Sequence, residues 1–441
     1  MKAGSLDRQN YIDWLRAGAM FLLLFYHTGR IFDLPTWHVK NAVLSGAIND
    51  FNRFLDIWHM PLFFFLAGAS VWYALGSRTP RGFTWERVLR LFVPLIFGML
   101  IIVPPQVFVE RIFDGDFSGS FLAWYPHTFS GVYSMDNAAS GNLSWHHLWF
   151  LAYLFVFSLL LIPAFRYFRS EKRKVLVERI ASFLGKPGAI FLPVIPLLVF
   201  NLSLRPIFGS GTQNLISDWA NFTYYITIFF YGFMLVSNPG ILASIKKQKF
   251  AALAVALIAT LSLVVVDNDL FGQIPGKEPI LLAIEPLSCW SWILGIIALG
   301  SIFLNFSNRL LKYASQAVLP VYILHQTLIV ILGYFVVQID APVAPKYFLV
   351  IAVTLTGSLG IYELVRRLAL TRFLFGMKGE RAKPQAPRRA ALPDGPIQGA
   401  EGLNYAVVIA QSGSGLRRRS VNPDPPEEAF PGEHQPADDG R

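Results

Sequence analysis

Arg16 and His27 stand eleven residues apart on one hydrophobic segment, residues 11–32. Eleven steps of about 100° return to nearly the same face of an α-helix, and a rise of about 1.5 Å per residue sets the groups roughly 16 Å apart along the axis. One helix face thus carries a guanidinium near one end and an imidazole deep inside. Ionisable groups in an apolar helix are costly, face a protein interior, and mark functional sites. The chemistry open to such a pair is anion binding by the arginine and proton transfer by the histidine. The plainer alternative is that Arg16 snorkels to a headgroup and His27 makes an interhelical hydrogen bond.

A second constellation is Thr84-Trp85-Glu86-Arg87-Val88-Leu89-Arg90-Leu91-Phe92-Val93-Pro94. Arg87 and Arg90 are three residues apart, hence on one face, at the head of a hydrophobic helix. Two parallel guanidinium forks suit a phosphorylated ligand; the alternative is anchoring to anionic headgroups. Glu285, just before Pro286 in another apolar run, either orients an imidazole, binds acceptor hydroxyls or serves as a structural carboxylate. Asp56 and His59 are at i and i+3 and are expected to form a buried pair. The stretch 110–146 carries Trp124, Tyr125, Phe129, Tyr133 and Trp145, flat faces that suit sugar rings.

These residues must be held by membrane helices. Only 15% of the chain is charged and 54% is hydrophobic, against about 25% charged in soluble domains. Ten spans are expected, near 11–32, 55–76, 88–109, 147–168, 189–204, 219–237, 249–266, 280–304, 313–337 and 346–366, in an all-α polytopic fold. Alternate loops concentrate the basic residues: Arg78, Arg81 and Arg87; a cluster between 166 and 186; Lys246, Lys247 and Lys249; Arg309 and Lys312. The positive-inside rule then predicts both termini inside. The net charge of +10 is explained as an insertion signal and an attraction to membrane lipids, so no nucleic-acid partner is expected. The first span exceeds a signal-peptide core and lacks a small-residue cleavage site, so it is expected to stay in the mature protein. Residues 1–376 read as the membrane-embedded domain and 377–441, rich in Pro, Gly, Arg and acidic residues, as a disordered cytoplasmic tail. With Cys289 as the only cysteine, and no histidines at i, i+4, no metal site is expected. No internal repeat is visible.

The motifs in order resemble the acyltransferase-3 family of membrane acyltransferases. They are Asp13-Trp14-Leu15-Arg16 with Tyr26-His27, the Arg87-x-x-Arg90 pair, His147-Leu148-Trp149-Phe150-Leu151 and Tyr322-Ile323-Leu324-His325. Within the family the chain is most similar to the glucan biosynthesis protein C group, the osmoregulated periplasmic glucan succinyltransferases. That likeness rests on Thr36-Trp37-His38-Val39, Asn49-Asp50-Phe51, Phe63-Phe64 with Gly68, Tyr362-Glu363 and Phe373-Leu374-Phe375. It covers roughly residues 10–380. The chain departs from the group at His59, where the group carries Arg, which leaves the acyl donor and acceptor open.

The resemblance implies transfer of an acyl group from cytoplasmic acyl-CoA, acetyl-CoA or succinyl-CoA, to a hydroxyl of a glycan or other acceptor across the inner (plasma) membrane. It implies His27 as the catalytic histidine, Arg16 as its companion, Arg87 and Arg90 as the acyl-CoA pair, and His147 and His325 as further site residues. The chemistry agrees: a thioester is already activated, and a sugar hydroxyl needs a base to take its proton. A transporter or flippase with a buried His/Arg pathway is the main alternative; a membrane sensor with a basic tail is the third.

Overall fold

Long apolar sequence can satisfy its backbone in hydrocarbon only internally, and here it does so as helix. The computed structural model describes residues 9–133, 141–209, 213–270 and 272–377. The expected tail, apart from Met377, lies outside the described residues, as does 134–140 of the aromatic loop. Among the described residues, seven helices are long and apolar enough to cross a membrane: Gly46–Gly76, Pro80–Phe113, Ala189–Phe208, Lys249–Asp267, Lys277–Phe303, Arg309–Val336 and Val343–Val365. Two bent pairs, His146–Leu160 with Ile162–Arg169 and Trp219–Leu235 with Pro239–Lys247, raise the number to nine, against the ten expected. The bends of 52° and 103° fall where Pro163 and Pro239 stand at the start of the second piece and supply no N–H to the helix before.

The first expected span does form a helix, Asn10–Gly29, but Asn10, Asp13, Arg16 and His27 make it too polar to count among the seven. Its surroundings explain how these groups are tolerated. It packs against Gly46–Gly76, Lys277–Phe303, Arg309–Val336 and Val343–Val365, so protein rather than lipid surrounds much of its surface.

Helix Pro80–Phe113 contains two five-residue π stretches, Val88–Phe92 and Gly98–Ile102. Each ends immediately before a proline segment, Val93-Pro94 and Val103-Pro104-Pro105. A proline ring clashes with the carbonyl four residues back and offers it no N–H, and a wide turn moves that carbonyl aside. Carbonyls freed in the second stretch are used elsewhere. Leu100 O accepts from the Tyr125 hydroxyl at 2.9 Å, and Ile102 O from the Thr327 hydroxyl at 2.7 Å.

Helices Gly46–Gly76 and Trp219–Leu235 meet backbone to backbone. A Cβ on Gly68 would lie 1.8 Å from the Phe229 carbonyl oxygen, and one on Gly232 would lie 1.8 Å from that of Phe65. Small residues let membrane helices approach this closely. Phe64, Phe157, Phe165, Phe229 and Phe233, all nearly inaccessible, fill the space around the crossing. Because backbone atoms cannot move out of the way, Gly68→Ala or Gly232→Ala should destabilise the protein by about 1–3 kcal/mol or more. Thermal unfolding in detergent reads this as a lowered midpoint, whereas Gly18→Ala, with nothing within 4 Å of the added carbon, should leave the midpoint unchanged.

Candidate active site

Three imidazoles converge from three helices. His27 comes from the last turn of Asn10–Gly29, His325 from the middle of Arg309–Val336, and His147 from the head of His146–Leu160. The His325 ring centroid is 5.1 Å from that of His27 and 5.2 Å from that of His147. Carbonyls fix two of the rings. His325 Nδ1 donates to Tyr322 O at 2.6 Å and His147 Nε2 to Ile323 O at 3.0 Å. A carbonyl can only accept, so His325 Nε2 and His147 Nδ1 are left as lone-pair acceptors when the rings are neutral. His147 Nδ1 receives the Gln106 amide at 3.4 Å, while His325 Nε2 and His27 Nδ1 are buried without a hydrogen-bond partner. His27 thus has an unused, buried Nδ1 beside an unused lone pair. That arrangement can take and return a proton.

A second group lies beside the first and was not singled out from the sequence. Gln326 donates to Gln106 Oε1 at 3.0 Å, and Gln106 donates to Thr327 Oγ1 at 2.7 Å. The Gln326 amide also faces His38 Nε2 at 3.5 Å. His38 Nδ1 hydrogen-bonds the buried carboxylate of Glu110, which also accepts from the Tyr133 hydroxyl at 3.0 Å. Burial and the Glu110 charge push the Tyr133 phenol up, so it remains a donor. His146, at φ +37°, holds its ring edge-on to His38 at 4.7 Å. A non-glycine residue in that region is strained, and such strain collects at functional sites. Trp37 lies between the groups, 6.3 Å from His27 and 5.1 Å from His38 between ring centroids. His38 was quoted only as part of the likeness Thr36-Trp37-His38-Val39. The one other signal was the presence of Gln106 and Gln326 inside apolar runs.

The arginines stand in two places away from the imidazoles. Arg16 pairs with Asp13 at 3.2 Å and donates to Ser70 Oγ of the second helix at 2.5 Å. Arg87, just before the first π stretch, and Arg90, within it, share Glu86, at 3.3 and 3.5 Å, and Arg78 reaches the same carboxylate at 3.3 Å. The Arg87 guanidinium lies 4.6 Å over the Phe83 ring, and Arg90 Nε donates to Gly376 O at 3.3 Å. The two arginines expected to hold phosphate are therefore together, with an internal carboxylate among them.

Two other candidates find partners outside the imidazole cluster. Asp56 and His59 do not form the expected pair: His59 Nε2 donates to Ala19 O of the first helix at 2.8 Å, and Asp56 instead faces the Tyr26 hydroxyl. The nearest backbone acceptor captured the imidazole before its i−3 neighbour could. Glu285 accepts from Asn201 at 3.4 Å, so it joins a polar string that runs through Arg205 and Asn221 to Asp218 and Tyr153. In the aromatic loop, Trp124 is buried against Phe108 and Phe121, whereas Phe129 is exposed. Among the described residues, no three His, Cys, Asp or Glu side chains converge as a metal set.

Comparison with known proteins follows this geometry. Residues 9–363 match the family model described as "Acyltransferase domain", acyltransferase-3. Relatives include the glucans biosynthesis protein C of Salmonella typhi and that of Salmonella typhimurium, each 24% identical over 402 residues, covering 86% of this chain and 97% of the relative. With motif order, helices and the family match in agreement across nearly its whole membrane part, the chain belongs to the acyltransferase-3 family, as a multi-pass membrane transferase.

Proposed function

We propose that the protein transfers an acetyl- or succinyl-class acyl group from cytoplasmic acyl-CoA to a hydroxyl of an extracytoplasmic glycan, as a multi-pass protein of the inner membrane with both termini inside. The observation that carries the reading is His27, an imidazole whose buried Nδ1 has no partner, beside His325 in a family acyltransferase. The glycan acceptor is supported by the name of the relatives, and CoA by the clustered Arg87 and Arg90.

His27 acts as general base. The acceptor oxygen attacks the thioester carbonyl carbon as its proton passes to the imidazole; the C–O bond forms, the C–S bond breaks, and the imidazolium returns the proton to the departing thiolate. His325 and its lone pair steady the protonated ring of His27. Arg87 and Arg90 hold the nucleotide end of the donor while its pantetheine arm reaches toward His27, which stands roughly 16 Å along the first helix from Arg16.

His27→Ala should keep acyl-CoA binding but lose about 10²–10⁴-fold in transfer rate, because a general base contributes to the transition state. His27→Gln should lose as much, since an amide cannot accept the proton. Transfer assayed beside thermal stability decides the point: a well-folded His27→Gln protein with near-normal turnover ends the general-base assignment.

Lysine reproduces a bidentate guanidinium–phosphate contact poorly. Arg87→Lys and Arg90→Lys should each raise the Kd for acyl-CoA severalfold in inserted, folded protein, and normal binding by both would reduce the pair to membrane anchors.

The orientation is tested by cysteine labelling. Phe129→Cys, at an exposed position, should react with an impermeant thiol reagent added outside intact cells, and Lys174→Cys, also exposed, should not. The opposite pattern reverses the topology and removes cytoplasmic CoA from the reading.

A further inference from the structure

Glu86 sits as an anion among three guanidinium groups. Its contacts to Arg78, Arg87 and Arg90 are 3.3, 3.3 and 3.5 Å. Charge-assisted bonds normally close to about 2.7–2.9 Å, so the carboxylate serves three cations loosely and none of them bidentately. Its presence has a reason. Arg87 is largely buried, and three cations this close repel one another; removing the counter-charge would leave a buried, unpaired guanidinium. Yet the cluster remains under-satisfied. Two carboxylate oxygens face three forks of donors, and Arg87 Nε is buried with no hydrogen-bond partner. Counting side chains alone, three positive charges and one negative leave the cluster at about +2.

A phosphate group fits these donors better than a carboxylate does. It offers three oxygens and up to two charges, enough to meet three forks at normal bonding distance. The arms are also pre-set from outside the cluster. Arg90 Nε is held by Gly376 O, Arg78 donates to Ala74 O at 3.3 Å, and Arg87 rests on the Phe83 ring.

We infer that Glu86 is an internal stand-in for a donor phosphate and that Arg78 is a third phosphate-binding arm. Arriving donor displaces the carboxylate and takes over its three cations. The inference rests on the reading of Arg87 and Arg90 as the donor site and adds two residues to it. Its consequence is a donor affinity held below what three arginines alone would give. Spent CoA is correspondingly released more readily, because the carboxylate competes for its place.

The test uses purified full-length protein and CoA as the probe. Glu86→Gln keeps the shape and removes the charge, so the Kd for CoA should fall by about tenfold, the size of one charge-assisted contact. Without ligand the same variant should melt at a lower temperature than the wild type, and CoA should raise its midpoint by more. Arg78→Gln should raise the Kd by about tenfold. If Glu86→Gln does not fold, Glu86→Asp keeps the charge but draws it back from the guanidinium groups, and its Kd should lie below that of the wild type. A folded Glu86→Gln or Glu86→Asp protein with a Kd equal to or above that of the wild type overturns the stand-in. An Arg78→Gln protein with unchanged Kd overturns the third arm. If Arg87→Lys and Arg90→Lys both bind CoA as well as the wild type, the donor-site reading fails first and takes this inference with it.

Discussion

The carbonyls of Tyr322 and Ile323 are the interaction on which the candidate site depends. They stand side by side on Arg309–Val336 and accept from His325 and His147, so one stretch of backbone sets the tautomer of two imidazoles. Each ring then presents a lone pair. One meets Gln106 and the other remains open beside His27. A flexible side chain in the carbonyls' place would leave each ring two tautomers and several orientations. The glutamines extend the same order outward, from Gln106 to Gln326 and on toward His38 and Glu110. Amides orient neighbours but do not exchange protons readily near neutral pH, so this string positions groups without shorting proton traffic between the two histidine clusters.

What was legible in the sequence was what one helix can encode. Arg16 and His27 share a segment, and Arg87 and Arg90 share a face; both relations follow from helical geometry and reappear in the structure. His147 and His325 entered through a resemblance, because their meeting joins residues far apart in the chain. The link from His38 to Glu110, and that from Gln326 to Gln106, span 72 and 220 residues, beyond any local pattern. Helical spacing failed for Asp56 and His59 because being neighbours on a face is permission to pair, and the Ala19 carbonyl made the better offer. The span count differs for a related reason. Hydropathy windows register apolar length and miss bends at Pro163 and Pro239, and the polarity of the first helix is tolerated only through its packing against other helices.

The two candidate groups lie at different levels of the same helices. Guanidinium groups gather where Gly46–Gly76 ends and Pro80–Phe113 begins, imidazoles gather beyond them, and the first helix carries one member of each set. Where fixed charge stands beside an imidazole, as Glu110 does beside His38, hydrogen bonds from His38 and Tyr133 satisfy it. His59 ties the second helix to the first through the Ala19 carbonyl.

The crossing of Gly68 and Gly232 limits how this molecule can move. With a carbonyl of each helix seated in the notch of the other, neither can slide past its partner without first lifting away, as two gear teeth cannot pass while engaged. Gly46–Gly76 and Trp219–Leu235 therefore behave as one rigid bar. Any opening that admits or releases a substrate must be made by helices on the other side of the first one, against a part that stays fixed.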